Sequence, residues 1–262
     1  MTDARPAPET CIDVRDVHVS FGEKKVLRGI TLRIARGETV SVLGESGGGK
    51  TVLLKVMLGL LAPDAGDVSL FGVPIRRLSD DRLIPIRKRC AVVYQGGALF
   101  SGLNVGENVA LELAEVLHLP RAEIEARVRW ALDAVGLGDV ALTLSPEELS
   151  GGMRKRLAVA RAIAPRPEVI FYDEPTSGLD PLNSARILGL IDTLHKRLGV
   201  TSVVVTHDVR GACTISDRLV LLGGGKVAFD GPPKAFEASD DPTVVAFRSS
   251  APGFSVPSGT AR

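Results

Sequence analysis

The chain has 262 residues, 45% of them hydrophobic and 24% charged, with a formal net charge of +1. Such a composition is globular, the length suits one large domain or two small ones, and the near-neutral balance gives no general argument for nucleic acid or an anionic surface as partner. Cys11, Cys90 and Cys213 are far apart and odd in number, so they read as free thiols of a reducing compartment, not as a disulfide set or metal ligands. Residues 1–10 carry Pro6 and Pro8 without an apolar core, unlike a signal peptide. The longest apolar runs are about ten residues, against the roughly 20 a membrane span needs. The expectation is a soluble chain, with any membrane crossing left to another subunit.

In chain order, residues 11–20 alternate apolar and polar, which predicts a strand, and residues 26–34 predict a second one. Residues 39–43 form a short apolar strand, followed by a glycine-rich stretch and then by 52–58, an apolar helix. Pro63 to Gly66 marks a turn and 67–71 a short strand closed by Gly72. Residues 79–89 are charged and partly helical, and 90–94 read as a buried strand interrupted by Gln95, Gly96 and Gly97. Val109, Leu113, Val116 and Leu117 then share one helical face stopped by Pro120; Ile124, Val128, Leu132 and Val135 share another stopped by Gly136. Glu123 with Arg127, and Glu125 with Arg129, are spaced to support the second of these helices. Trp130, the one tryptophan, is expected to pack under it. Ser145, Pro146 and Glu148 have the spacing of a capping box.

Beyond this helical block, 169–172, 202–205 and 218–222 are short β-rich strands, with a helix over 182–198 between the first two. The alternation predicts an α/β fold with a mostly parallel sheet flanked by helices. Residues 223–229 read as a hairpin turn and return strand, and past Asp240 the chain is expected to be irregular.

Three stretches carry chemistry. Gly44, Glu45, Ser46, Gly47, Gly48, Gly49, Lys50 and Thr51 fit the pattern of glycine, four residues, Gly-Lys-Ser/Thr, and lie between a strand and a helix as that pattern requires. The glycines let backbone N–H groups turn toward phosphate oxygens, and the helix adds its positive end. Lys50 would reach the β- and γ-phosphates and the Thr51 hydroxyl would hold Mg²⁺. Asp173 and Glu174 end an apolar strand, where Asp173 would position Mg²⁺ and Glu174 would orient or deprotonate the attacking water. Leu149, Ser150, Gly151 and Gly152 head another helix. They form either a plain helix cap or a second anion site, and a second anion site makes sense if two chains sandwich ATP head to tail.

These motifs resemble, in kind and in order, those of the nucleotide-binding subunits of ABC transporters. The resemblance runs from about Ile12 to Pro232. It implies a P-loop NTPase core of ABC type over 12–236, with a mixed sheet and an α-helical subdomain inserted at about 96–165, and a C-terminal tail over 237–262 that contacts a neighbouring subunit. It implies that Gln95 senses Mg²⁺ and the attacking water, that His207 contacts the γ-phosphate, that Asp180 couples two sites across a dimer, and that Phe21 stacks on adenine. It also implies ATP and Mg²⁺ as cofactors, a second copy of the chain as partner, an integral-membrane permease, and no nucleic acid. Met153 after the glycine pair and the segment from Gly96 to Val109 are similar to the ATPase subunits of Mla-type phospholipid transporters. That similarity adds an MCE-domain lipid-binding protein as partner and a peripheral place on the cytoplasmic face of the inner membrane. Importers of amino acids or other small solutes, and soluble ABC ATPases acting on DNA or ribosomes, are the rival readings. The second lacks support from any basic excess, coiled-coil insertion or second cassette.

Overall fold

The computed structural model describes residues 9–138 and 142–250, which divide into two compact units: residues up to Ile86 together with those from His207 onward, and Arg87–Thr206. The α/β expectation holds in both. Of the expected C-terminal tail, residues 251–262 lie outside the described residues.

The first unit opens with two long antiparallel strands, β1 (Thr10–Phe21) and β2 (Lys24–Ala35), whose alternating apolar residues face inward: Ile12, Val14, Ile30, Leu32 and Ile34 are all buried. The strand expected over 26–34 is thus part of a longer one that begins at Lys24. β4 (Ala65–Leu70) pairs antiparallel with β1 and with the short β5 (Val73–Pro74). Gly66 belongs to β4, not to a turn, and its lack of a side chain is required there. The register slips around Asp16, and a Cβ on Gly66 would fall 2.2 Å from the Asp16 carbonyl oxygen.

β3 (Thr39–Gly44) is buried at every position, as expected of a strand covered on both faces. It runs into α1 (Lys50–Met57) through the glycine-rich loop. β9 (Arg218–Gly223) lies parallel to β3, and β10 (Lys226–Gly231) returns antiparallel to β9 through Gly224 and Gly225, both at positive φ as a tight hairpin turn requires. α2 (Asp80–Arg87) and α7 (Val209–Ile215) complete the middle of this unit.

The end of the chain departs from the sequence reading. After α8 (Pro233–Glu237), the described residues past Asp240 are helical, not irregular, and form α9 (Pro242–Ser250). Asp241 caps α9 by accepting from the Thr243 N–H at 2.8 Å, and Pro242 takes the first helical position. Val244 is fully buried in a cluster with Leu43, Val209, Leu221 and Phe236, and Phe247 packs against it. The Arg248 guanidinium, itself buried, donates to the carbonyls of Phe236, at 3.0 Å, and Glu237.

In the second unit β6 (Cys90–Val93), β7 (Val169–Asp173) and β8 (Thr201–Thr206) run parallel. Tyr94, expected at the end of the first of these, lies beyond it and is partly exposed. Three helices pack on one another: α3 (Val105–Glu115), α4 (Arg121–Ala134) and α5 (Gly151–Ile163). α3 stops at Glu115, well short of Pro120, so Val116 turns outward instead of continuing the buried face of Val109 and Leu113. Glu123 pairs with Arg127 as expected, but Glu125 takes Arg121, not Arg129. Ser145, Pro146 and Glu148 form a single 3₁₀ turn, with the Glu148 carboxylate accepting from the Ser145 N–H at 2.7 Å. The Trp130 ring is covered by the Arg166 guanidinium at 5.6 Å. α6 (Pro181–Leu198) completes the unit. Among the described residues no helix is long and apolar enough to cross a membrane, and none of the three cysteines is in a disulfide.

Candidate nucleotide site

The glycine-rich loop joins the buried end of β3 to α1. Gly47 and Gly49 hold φ of +77° and +96°, which favours glycine, and a Cβ on Gly49 would sit 3.0 Å from the Leu27 side chain. Glu45, Ser46 and Gly47 stand on the exposed rim, whereas Lys50 is only 6% exposed. Its ammonium lies inside the curl, donating to the carbonyl oxygens of Gly44 at 2.8 Å and Glu45 at 3.0 Å. Gly49 occupies the cap position of α1, so no side chain caps that helix, and its first turn carries no acid. Thr51 lies in that first turn with its side chain exposed. Loop, buried lysine and a helix start without a side-chain cap are thus gathered at one place in the chain. Phe21, half-exposed at the end of β1, and His207, exposed just before the start of α7, belong to the same unit.

The other expected residues lie in the second unit. Asp173 ends β7. Glu174 follows with φ of +48°, an uncommon conformation for a residue with a side chain, costing on the order of 1 kcal/mol. Its N–H donates to the Val205 carbonyl at 2.8 Å, and Thr206 Oγ1 donates to its carboxylate at 3.3 Å. Ser177 N–H donates to the Glu174 carbonyl at 3.1 Å, and Gln95 Nε2 donates to Ser177 Oγ at 3.0 Å. The structure therefore brings Gln95, Ser177, Glu174 and Thr206 into one bonded group. Thr206 and Ser177 were absent from the sequence-derived site, although each lies within about three residues of one of its members.

Ser150 caps α5, its Oγ accepting from the Met153 N–H at 3.3 Å; Gly151 and Gly152 form the first turn. A Cβ on Gly152 would approach the Asn183 side chain at 3.4 Å. Asp180 caps α6, accepting from the Asn183 N–H at 2.9 Å, and these hydrogen bonds hold its carboxyl below the usual carboxylate range. Within one chain both stretches thus act as helix caps. Near the glutamine, Tyr94, Phe100, Leu111, Glu112, Val116 and Arg161 line a cavity of about 560 Å³. Phe100 is half-exposed and Arg161 covers its ring at 5.8 Å.

A glycine-rich loop ending in Gly-Lys-Thr after one parallel strand, and a pair of acids at the end of another, are marks of a P-loop nucleotide-binding fold. The ABC transporter family model matches residues 27–177, and the chain belongs to that family. It is 42% identical over 236 residues to the intermembrane phospholipid transport system ATP-binding protein MlaF of Escherichia coli K12, covering 90% of this chain and 87% of that one. It is 38% identical to the methionine import ATP-binding protein MetN of Brucella abortus, covering 84% of this chain and 59% of the other. Among solved structures it is similar to the dimeric, post-hydrolysis ATP-binding cassette MJ0796 bound to ADP and Pi, with a TM-score of 0.77 and 32% identity over 85% of this chain and 98% of that one. The fold is the α/β P-loop NTPase fold of ABC type, and the chain is an ATP-binding ATPase subunit.

Proposed function

We propose that this subunit hydrolyses ATP to energise phospholipid transport across a cell envelope, working with an integral-membrane permease and an MCE-type lipid-binding protein from the cytoplasmic face of the inner membrane. The observation that carries the lipid assignment is the similarity to MlaF, which extends over 87% of that protein's length. The MetN relative supports an amino-acid importer as the alternative, on a match to 59% of its length.

In this reading the loop from Gly44 to Gly49 and the Lys50 ammonium bind the nucleotide's phosphates, Phe21 stacks on adenine, and His207 contacts the γ-phosphate. Glu174 accepts the proton of the attacking water, while Gln95 helps to orient that water. The Thr51 hydroxyl and the Asp173 carboxylate are hard oxygen donors of the kind Mg²⁺ takes together with phosphate oxygens. When bound, Mg²⁺ neutralises charge developing on the phosphoryl group. Ser150, Gly151 and Gly152 act on the nucleotide of a second copy of the chain, with Asp180 coupling the two sites; the dimeric state of the MJ0796 cassette supports this. A cytoplasmic segment of the permease seats against Phe100 and its cavity, and the tail reaches a neighbouring subunit.

The test is to purify the membrane complex and extract what it carries. Phospholipid is expected. A complex that binds an amino acid or a sugar, with no lipid, overturns the lipid assignment and leaves the ATPase standing.

A further inference from the structure

The loop from Gln95 to Ala98 contains two adjacent glycines, Gly96 and Gly97, and would be mobile if its backbone were unattached. It is attached, and to one helix. Lys155, five residues into α5, donates from its ammonium to the Gln95 carbonyl oxygen. Arg161, further along α5, donates to the carbonyls of Gly97, at 3.1 Å, and Ala98, at 2.6 Å. From Gln95 the bonded path continues through its side chain to Ser177 Oγ at 3.0 Å, and through the Ser177 N–H to the Glu174 carbonyl at 3.1 Å. α5 is the helix that Ser150, Gly151 and Gly152 begin. One continuous set of contacts therefore links α5, the glutamine and the acid that follows β7. Lys155 sits at its junction.

We infer that Lys155 is a positioning residue for hydrolysis: it fixes the Gln95 backbone to α5, so that the glutamine side chain is placed wherever that helix goes. Two facts favour a function beyond packing. Lys155 is partly desolvated, which pushes its ammonium below the usual lysine range, and the Glu174 carboxylate lies near enough for its charge to oppose that loss. A lysine kept for bulk would place its charge in water. Its acceptor is moreover a carbonyl in a glycine-flexible loop, where a side-chain donor governs geometry more than stability.

The inference rests on the reading of Gln95 as the residue that orients the attacking water, and the experiment separates the two. ATP turnover and nucleotide affinity are measured on the full chain as Lys155→Gln, Lys155→Arg, Gln95→Ala and the double variant Lys155→Gln/Gln95→Ala, with melting temperatures to confirm folding. Lys155→Gln is expected to lower kcat about tenfold or more while nucleotide affinity holds within about twofold, because a misplaced orienting group costs rate and not binding. Lys155→Arg, which keeps a cationic donor, is expected to recover most of that loss. On the Gln95→Ala background the Lys155→Gln change is expected to cost less than about twofold more, since the group it positions is already gone. Turnover of Lys155→Gln at the parent rate, with Gln95→Ala slow, overturns the inference and leaves Gln95 in place. An undiminished effect of Lys155→Gln on the Gln95→Ala background also overturns it. Gln95→Ala at the parent rate removes the reading of Gln95, and the inference with it.

Discussion

Three helices begin at sequence motifs of the site, and they begin differently. α1 starts from Gly49, with no side chain to cap it and no acid in its first turn. α5 starts from Ser150 and α6 from Asp180, each closing its first turn with its own side chain. A helix start normally recruits a side chain to satisfy its N–H groups. On the function proposed above, glycine stands in that place, with a lysine buried beside it, so that the positive end can meet the nucleotide's phosphates. Where serine or aspartate stands there, the same residue serves the fold first and can serve a neighbouring chain as well. Substitutions at the first start should therefore change binding and spare the fold, whereas those at the other two should disturb both.

The sharpest test pairs Lys50 with Glu174. Lys50→Ala is expected to abolish turnover and strongly weaken ATP binding in an equilibrium titration, with the ligand-free chain still folded. Glu174→Gln is expected to keep binding and slow hydrolysis by roughly 10² or more, the usual loss with a general base. A Glu174→Gln chain that hydrolysed at the parent rate would show that the proton goes elsewhere. Next in size is Gly49→Ala, the exception at the first start, because here the backbone itself is at stake. It forces a side chain into φ of +96° and against Leu27 and Val26, and a loss of about 1–3 kcal/mol should appear in chemical denaturation. Were that variant as stable as the parent, the loop would not hold the conformation described. Ser150→Ala should cost about 1 kcal/mol of stability through the lost cap. Ser150→Asp, which can cap equally well, should restore the melting temperature without restoring activity.

The smallest expected effect is the pH dependence of Asp180. Its folded-state carboxyl is held below the ordinary value of 3.8, so its contribution to stability is present above that pH and is lost as pH falls through the depressed value. The melting temperature of Asp180→Ala should lie below the parent's by a constant margin from neutral pH down toward about 4, and the margin should close in more acid solution. A margin unchanged by acid would mean that the cap does not depend on the carboxylate's charge.

The phosphate loop, the strand ending in Asp173 and Glu174, and the helix after Ser150 were legible because each motif fixes its own backbone: glycines at the turn, an apolar run for the strand, a small polar residue at the cap. Lys155 was not, because its role depends on a carbonyl 60 residues away, and a local run of basic residues reads as a solvated helix face. α9 was misread for another reason. Its surroundings are rich in proline, serine and glycine, and that composition outweighed a local start signal, Asp241 followed by Pro242, which the structure uses. The exposed Val116 shows the reverse case. Helical periodicity carried the apolar face one turn too far, past a helix end that no proline marked.

The seat of α9 also bears on how this protein can be trimmed. A chain cut at Asp240 would strip the cover from Phe236 that Val244 and Phe247 provide, and would take away the guanidinium that satisfies the carbonyls of Phe236 and Glu237. Deletions meant to ask whether the C-terminal end recruits a neighbour should therefore leave Ser250 in place. A shorter truncation product that failed to assemble would report a damaged core, not a lost recruiting surface.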